Sequence, residues 1–199
     1  MPTKSRLIFN PITHIYRLDG VVIPGYSEIS KAMGISDFSK VNPELLELAR
    51  NFGEQLHVAT KLWDLKKLGT LPEPLEPCLE EYKSFLKDYA VKIIPKYVEK
   101  PICSYRYRYG VTPDRVVTIG GEYAILEIKT TTAMSNSVKL QTAAQALAAE
   151  EYYGIRIKKR YGLQILPDKP YKLYPYKQES DKGSWLCFLG ASNWLRGNK

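Results

Sequence analysis

TPDRVVTIGGEYAILEIKT, residues 112 to 130, decides the fold of this 199-residue chain. Gly120 and Gly121 separate two runs rich in β-branched and aliphatic residues, and paired glycines supply the positive φ values that a tight hairpin turn demands. With the turn centred there, Ile119 faces Glu122, and the same register carried outward sets Asp114 opposite Glu127. Facing residues project to one side of a sheet with Cβ atoms about 5 Å apart. Lys129, two residues beyond Glu127, shares that side, while Ile128 points into the opposite layer. Two carboxylates and one amine are therefore predicted at a single edge of an apolar sheet.

Like charges removed from water repel and become harder to ionise, so the pair is costly unless a cation sits between them. Mg²⁺ or Mn²⁺ would resolve the conflict, because a hard cation takes one or two protein carboxylates and fills its other positions with water and phosphate oxygens. Such an ion can stabilise the charge of a phosphodiester transition state and lower the pKa of a bound water. Lys129 would orient that water or neutralise the developing charge. The competing reading is an ordinary salt bridge from Lys129 to one acid, with the other acid solvated at a strand end.

Outward from the hairpin, the pattern alternates helices and strands. HIYRLDGVVIPG predicts a short hairpin over residues 13 to 24, followed by a short helix from Ser27 to Met33 that Gly34 ends. Leu45, Leu48, Ala49, Phe52, Leu56, Ala59 and Trp63 recur at helical spacing from Pro43, with Gly69 as the stop. A second helix is expected from Leu75 to Ile94, before Pro95. SYRYRYG then reads as a strand, and the segment from Ser135 to Tyr153 reads as a helix with Gly154 beyond its end. IRIKKRYGLQIL and YKLYPY are predicted strands, and SWLCFLGASNWLR is an amphipathic closing helix. This order implies an α/β fold, a central mixed β-sheet flanked by helices, with an N-terminal hairpin and helical segment.

Lysine and arginine outnumber acids 29 to 21, a net charge of +8 that biases the partner toward a polyanion such as nucleic acid. The three cysteines, Cys78, Cys103 and Cys187, form no CxxC pair and read as reduced thiols in a cytoplasmic protein. No run approaches the roughly 18 apolar residues of a membrane span.

The PD at 113 and 114 and the EIK at 127 to 129 resemble the signature of the PD-(D/E)XK nuclease superfamily. The chain looks most like its RecB-type and lambda-exonuclease-like branch, which includes phage-encoded and mitochondrial genome maintenance exonucleases. The resemblance runs from FGEQLH at 52 to 57 through QTAAQ at 141 to 145 and loosely to KKRYGLQIL at 158 to 166, about half of the chain. It implies a single nuclease domain with a restriction-endonuclease-like core. Residues 1–95 would form the hairpin and helical portion, and 96–199 the catalytic sheet and last helix. The implied activity is Mg²⁺- or Mn²⁺-dependent hydrolysis of DNA, at ends or in single strands, in replication or recombination.

By the same resemblance, Asp114, Glu127 and the Ile128 carbonyl hold metal with His57, while Lys129 and Gln141 serve catalysis. Gly53, His57 and Asp64 fall on the helix side away from Leu45, Phe52 and Trp63. Two positions depart from the family pattern. Residue 145 is Gln145 where a tyrosine is usual, and Lys61 stands where many relatives carry an acid.

Alternating Tyr105 to Tyr109 would put tyrosines on one strand face and Arg106 and Arg108 on the other, for stacking and for phosphate. Arg115 and the basic run at Lys158, Lys159 and Arg160 are further candidates for phosphate contact. A non-catalytic nucleic-acid-binding module and a restriction-type endonuclease remain the alternatives. An iron-sulfur variant would need four thiolates, one more than the chain has.

Overall fold

A computed structural model of the protein describes residues 6–35, 42–177 and 179–197. The chain opens with three antiparallel strands, β1 (Leu7–Asn10), β2 (Ile15–Leu18) and β3 (Val21–Ile23), so β1 extends the expected hairpin into a small sheet. Asp19 and Gly20 turn β2 into β3 with φ of 51° and 80°. Helices α1 (Tyr26–Ala32), α2 (Pro43–Asp64) and α3 (Glu76–Asp88) follow. Asn42 caps α2, its Oδ1 accepting from the Glu44 N–H at 2.8 Å just ahead of Pro43 at the favoured first position.

The remainder is β4 (Lys92–Val98), β5 (Ile102–Ser104), β6 (Tyr109–Val111), β7 (Arg115–Ile119), β8 (Glu122–Lys129), α4 (Ser137–Tyr153), β9 (Ile157–Leu166), β10 (Lys169–Pro175) and α5 (Ser180–Gly197). Five strands form the central sheet in the order β10-β9-β8-β7-β4, with β5 and β6 paired apart. Only β8 and β9 run parallel within it, joined through α4, so the sheet is mixed and flanked by helices as predicted. Helices α2 and α3 cover one face, where Leu56, Leu79, Tyr82 and Phe85 pack over Val117, Leu126 and Ile128. On the other face, the alanines of α4 and Trp185 of α5 pack over Val116 and Ile125.

The central hairpin keeps the expected register from Ile119↔Glu122 to Arg115↔Leu126, with Gly120 and Gly121 at φ of 61° and 78°. Other boundaries differ from expectation. α2 ends at Asp64, short of Gly69, and α3 ends at Asp88, short of Ile94. Both helices close with the same pair of bonds, Lys67 N–H to Leu62 O with Lys66 N–H to Trp63 O, and Val91 N–H to Leu86 O with Ala90 N–H to Lys87 O. Such closure needs one left-handed residue, and here Lys66 (φ 56°) and Ala90 (φ 46°) take that role in place of glycine. Ile93 is freed to pair with Val117 on β7.

The Tyr105–Arg108 segment is a turn between β5 and β6, not a strand. Glu151 of α4 enforces this, accepting the Ser104 hydroxyl and the Arg106 N–H, each at 2.6 Å, while the Arg108 N–H closes on Ser104 O. On α2, Leu45, Leu48 and Trp63 are exposed, and only the stripe around Leu56 and Ala59 is buried.

The small N-terminal sheet docks through glycines. Gly110 donates its N–H to Pro24 O at 2.9 Å, and the Tyr16 ring lies so close that a Cβ on Gly110 would run into it. Gly110→Ala should cost about 1–3 kcal/mol by overpacking. Thermal unfolding would show it, and an unchanged midpoint would mean that Tyr16 is free to move away.

Candidate active site

Glu127 lies on the α4 side of β8 and is 3% exposed. Its Oε1 accepts from Lys129 Nζ at 2.7 Å and from Gln141 Nε2 at 2.6 Å, and its Oε2 accepts from Gln145 Nε2 at 2.8 Å. The two glutamines are one helical turn apart on α4, so both reach inward to the same carboxylate. Alanines at 143, 144, 146, 148 and 149 are fully buried between them and beyond, which lets α4 lie close to the sheet.

Asp114 sits one residue before β7. The paired ladder stops at Arg115 and Leu126, and beyond it Asp114 Oδ2 accepts the Ile128 N–H at 2.7 Å, as a strand neighbour would. His57 Nδ1 approaches Asp114 Oδ1 at 3.4 Å. Gly53, one turn before His57, makes this possible, because a Cβ there would sit 3.0 Å from Thr130 Oγ1. The structure thus links His57, Asp114 and the Ile128 backbone in one set of contacts and Glu127, Lys129 and Gln141 in another, at the same end of the hairpin. Ile128 contributes its backbone, with its side chain buried among α2 and α3 residues.

Burial first, and the Glu127 charge second, push the Asp114 carboxyl up to about 6, against the pull of His57, Lys129 and the Ile128 N–H. Burial works to lower the Lys129 pKa, yet the Glu127 and Asp114 carboxylates outweigh it and hold the amine above the usual lysine value.

Among the described residues no group of three or more His, Cys, Asp and Glu side chains is placed so that it could hold a metal ion. Mg²⁺ or Mn²⁺ ordinarily takes only one or two protein carboxylates, and Asp114 and Glu127 are the pair that could supply them. Glu127 accepts three hydrogen bonds of the about four a carboxylate can take, and the raised Asp114 pKa marks a pocket with anionic charge left to neutralise.

The basic residues predicted to meet phosphate divide sharply. Arg115 is fully buried: Nε donates to Asp64 Oδ2, Nη2 to Thr60 Oγ1 at 3.1 Å and Nη1 to Asp114 O at 2.7 Å. Arg160 is 5% exposed and bonds Asp181 at 2.8 Å and Lys139 O at 3.0 Å, tying β9 to α4 and α5. Both are structural, because an arginine with its donors spent inside cannot meet a phosphate outside. Arg106, Arg108 and Lys158 are exposed.

Asp64 corrects the reading of α2. Its carboxylate is buried against Arg115 and takes the Tyr82 hydroxyl at 2.8 Å, so the polar stripe Gly53–His57–Asp64 faces the sheet end while Leu45 and Leu48 face water. Sequence reasoning also left Gln145 without a role. Its four-residue spacing from Gln141 was the available signal. Lys61, where an acid was expected, pairs with Glu99 at 2.8 Å.

No family model and no curated protein matches the sequence. Among solved structures, a protein described as SSO0001 overlaps 57% of this chain and 55% of its own, about half of each, at 17% identity and a TM-score of 0.37.

Two outcomes follow from the charges. Because Asp114 titrates near 6 in the fold and near about 3.9 unfolded, the native state keeps a proton that the unfolded chain releases. Stability should then fall as pH rises from about 4 to about 6, by on the order of 3 kcal/mol. Asp114→Asn should remove this loss, giving a higher melting temperature than wild type above that window and none below it. Equal pH profiles would refute the assignment. Asp64→Ala removes the nearest partner of the buried Arg115 and leaves the Glu99 carboxylate 3.7 Å from Nη1, so it should lower stability by about 3 kcal/mol in urea unfolding.

Proposed function

We propose that this protein is a Mg²⁺- or Mn²⁺-dependent deoxyribonuclease acting on DNA ends or single strands. The observation that carries the reading is the carboxylate pair, Asp114 and Glu127, crowded with Lys129 at the open end of a buried hairpin. A fold gains nothing from two acids that repel each other across a half-buried strand end, whereas a hard cation and a phosphodiester together make use of both. Asp114 and Glu127, with the Ile128 backbone and His57 beside them, are the residues that would hold the ion. When bound, it would supply Lewis-acid stabilisation and a more acidic water.

The chain's own groups have separable tasks. Gln141 and Gln145 hold Glu127 in one rotamer from the α4 side, and His57 orients Asp114 from the α2 side. The Glu127 and Asp114 carboxylates favour the charged form of Lys129, whose charge would offset the negative charge that grows on the phosphoryl oxygens in the transition state. Exposed Arg106, Arg108 and Lys158 and the net charge of +8 support attraction of a polyanion that weakens steeply with salt.

No helix among the described residues is long and apolar enough to cross a membrane. The test is cleavage of end-labelled single- and double-stranded DNA with and without Mg²⁺ or Mn²⁺. Glu127→Ala and Lys129→Ala should abolish cutting by at least about a hundredfold, the scale of one lost transition-state contact, while DNA binding persists. Wild-type protein that leaves every DNA intact with either ion would overturn the proposal.

A further inference from the structure

A cleft of about 950 Å³ lies between the small N-terminal sheet and α4, near the upper end of the roughly 300–1,000 Å³ range for ligand pockets. Gln141 and Gln145 line it, and these are the two side chains that hold Glu127. The cleft therefore begins one side chain away from the acid pair. The rings of Phe9, His14, Tyr16 and Tyr26 line it too.

These walls are built before any ligand arrives. Asn10 Oδ1 accepts the N–H groups of Ile12 at 2.9 Å and Thr13 at 3.1 Å, which fixes the loop that carries His14. Tyr16 is tied to Thr112 at 2.8 Å, and the Tyr26 hydroxyl donates to Ser137 O at 3.0 Å, at the start of α4. Phe9 packs on Tyr16 with ring centroids 4.6 Å apart and meets His14 edge-on at 5.9 Å.

Charge decides which part of a nucleotide suits the cleft. Lys61 on its lining is engaged by Glu99 at 2.8 Å, so that lysine is not a ready partner for a phosphate chain. A neutral planar ring between aromatic groups is favoured instead. Gln145 adds directionality. Its Nε2 donates to the Glu127 carboxylate, which fixes the amide orientation and leaves Oε1 an acceptor, buried in the wall without a hydrogen-bond partner. A base edge carrying an amino or imino N–H is the complementary donor.

We propose that this cleft takes the unstacked base of the nucleotide next to the phosphate at Asp114 and Glu127. This deepens the nuclease reading and rests on it. A base stacked and paired in a duplex cannot enter, so the substrate is a single strand or a frayed end.

The experiment measures kcat/KM on single strands carrying one abasic residue at successive positions, for wild type, Phe9→Ala and His14→Ala, with circular dichroism to confirm folding. Wild type should lose about tenfold at one position, the effect of one lost stacked base, and either variant should lose that discrimination. Wild type indifferent to every abasic placement would overturn the base pocket while leaving the nuclease reading intact. Should no strand be cut, the nuclease reading fails, and binding of a 2-aminopurine-labelled strand decides the cleft alone. Fluorescence quenched by wild type and not by Phe9→Ala or His14→Ala supports it, and quenching that is absent or equal in all three overturns it.

Discussion

A buried glutamate repelled by a half-buried aspartate is the constraint on which the rest of the structure depends. Glu127 is nearly inaccessible, and removing a carboxylate from water costs several kcal/mol unless its oxygens are met by donors. Three donors meet it, one from its own strand and two from α4. For the glutamines to reach, the helix must lie close to the sheet, and the run of small residues from Ala143 to Ala149 has that consequence. Asp114 imposes the matching demand on the other layer. α2 must bring His57 within 3.4 Å, and Gly53 is what lets the helix pass Thr130.

A second charged layer lies directly behind the first. Arg115 follows Asp114, and strand alternation sends it to the opposite face, into the Asp64–Thr60–Tyr82 cluster. Its Nη1 also grips the Asp114 carbonyl, so the backbone that carries the acid is held by a cation buried under the other sheet face. Removing either member of such a pair is far more damaging than exchanging both for apolar groups. The arrangement thus gives Asp114 a fixed position at some expense in desolvation, an exchange expected where placement matters more than stability.

What the sequence revealed, and what it hid, has one physical divide. The hairpin register was legible because Gly120-Gly121 fixes the turn, and every facing pair follows from it. The fate of the basic residues was not. Arg115 and Arg160 look like phosphate ligands until Asp64 and Asp181 are seen beside them, and those partners lie 51 and 21 residues away. Helix ends were misplaced for a related reason. Glycine signals a left-handed closure, whereas Lys66 and Ala90 adopt it silently because tertiary packing outweighs their local preference. The polar stripe of α2 was grouped correctly, and what stayed hidden was that Asp64 is spent on Arg115 while Leu45 and Trp63 are left in water.

Helix α4 joins these threads. Its Gln141 and Gln145 belong at once to the acid cluster and to the lining of the N-terminal cleft, so neither region can be altered without the other responding. A group that hydrogen-bonds the free oxygen of Gln145 draws density from the amide and makes its N–H a stronger donor to Glu127. Coupling of that kind needs no moving domain. It requires only that one amide have both ends engaged, which a tyrosine at position 145, with its single hydroxyl, would not provide in the same way.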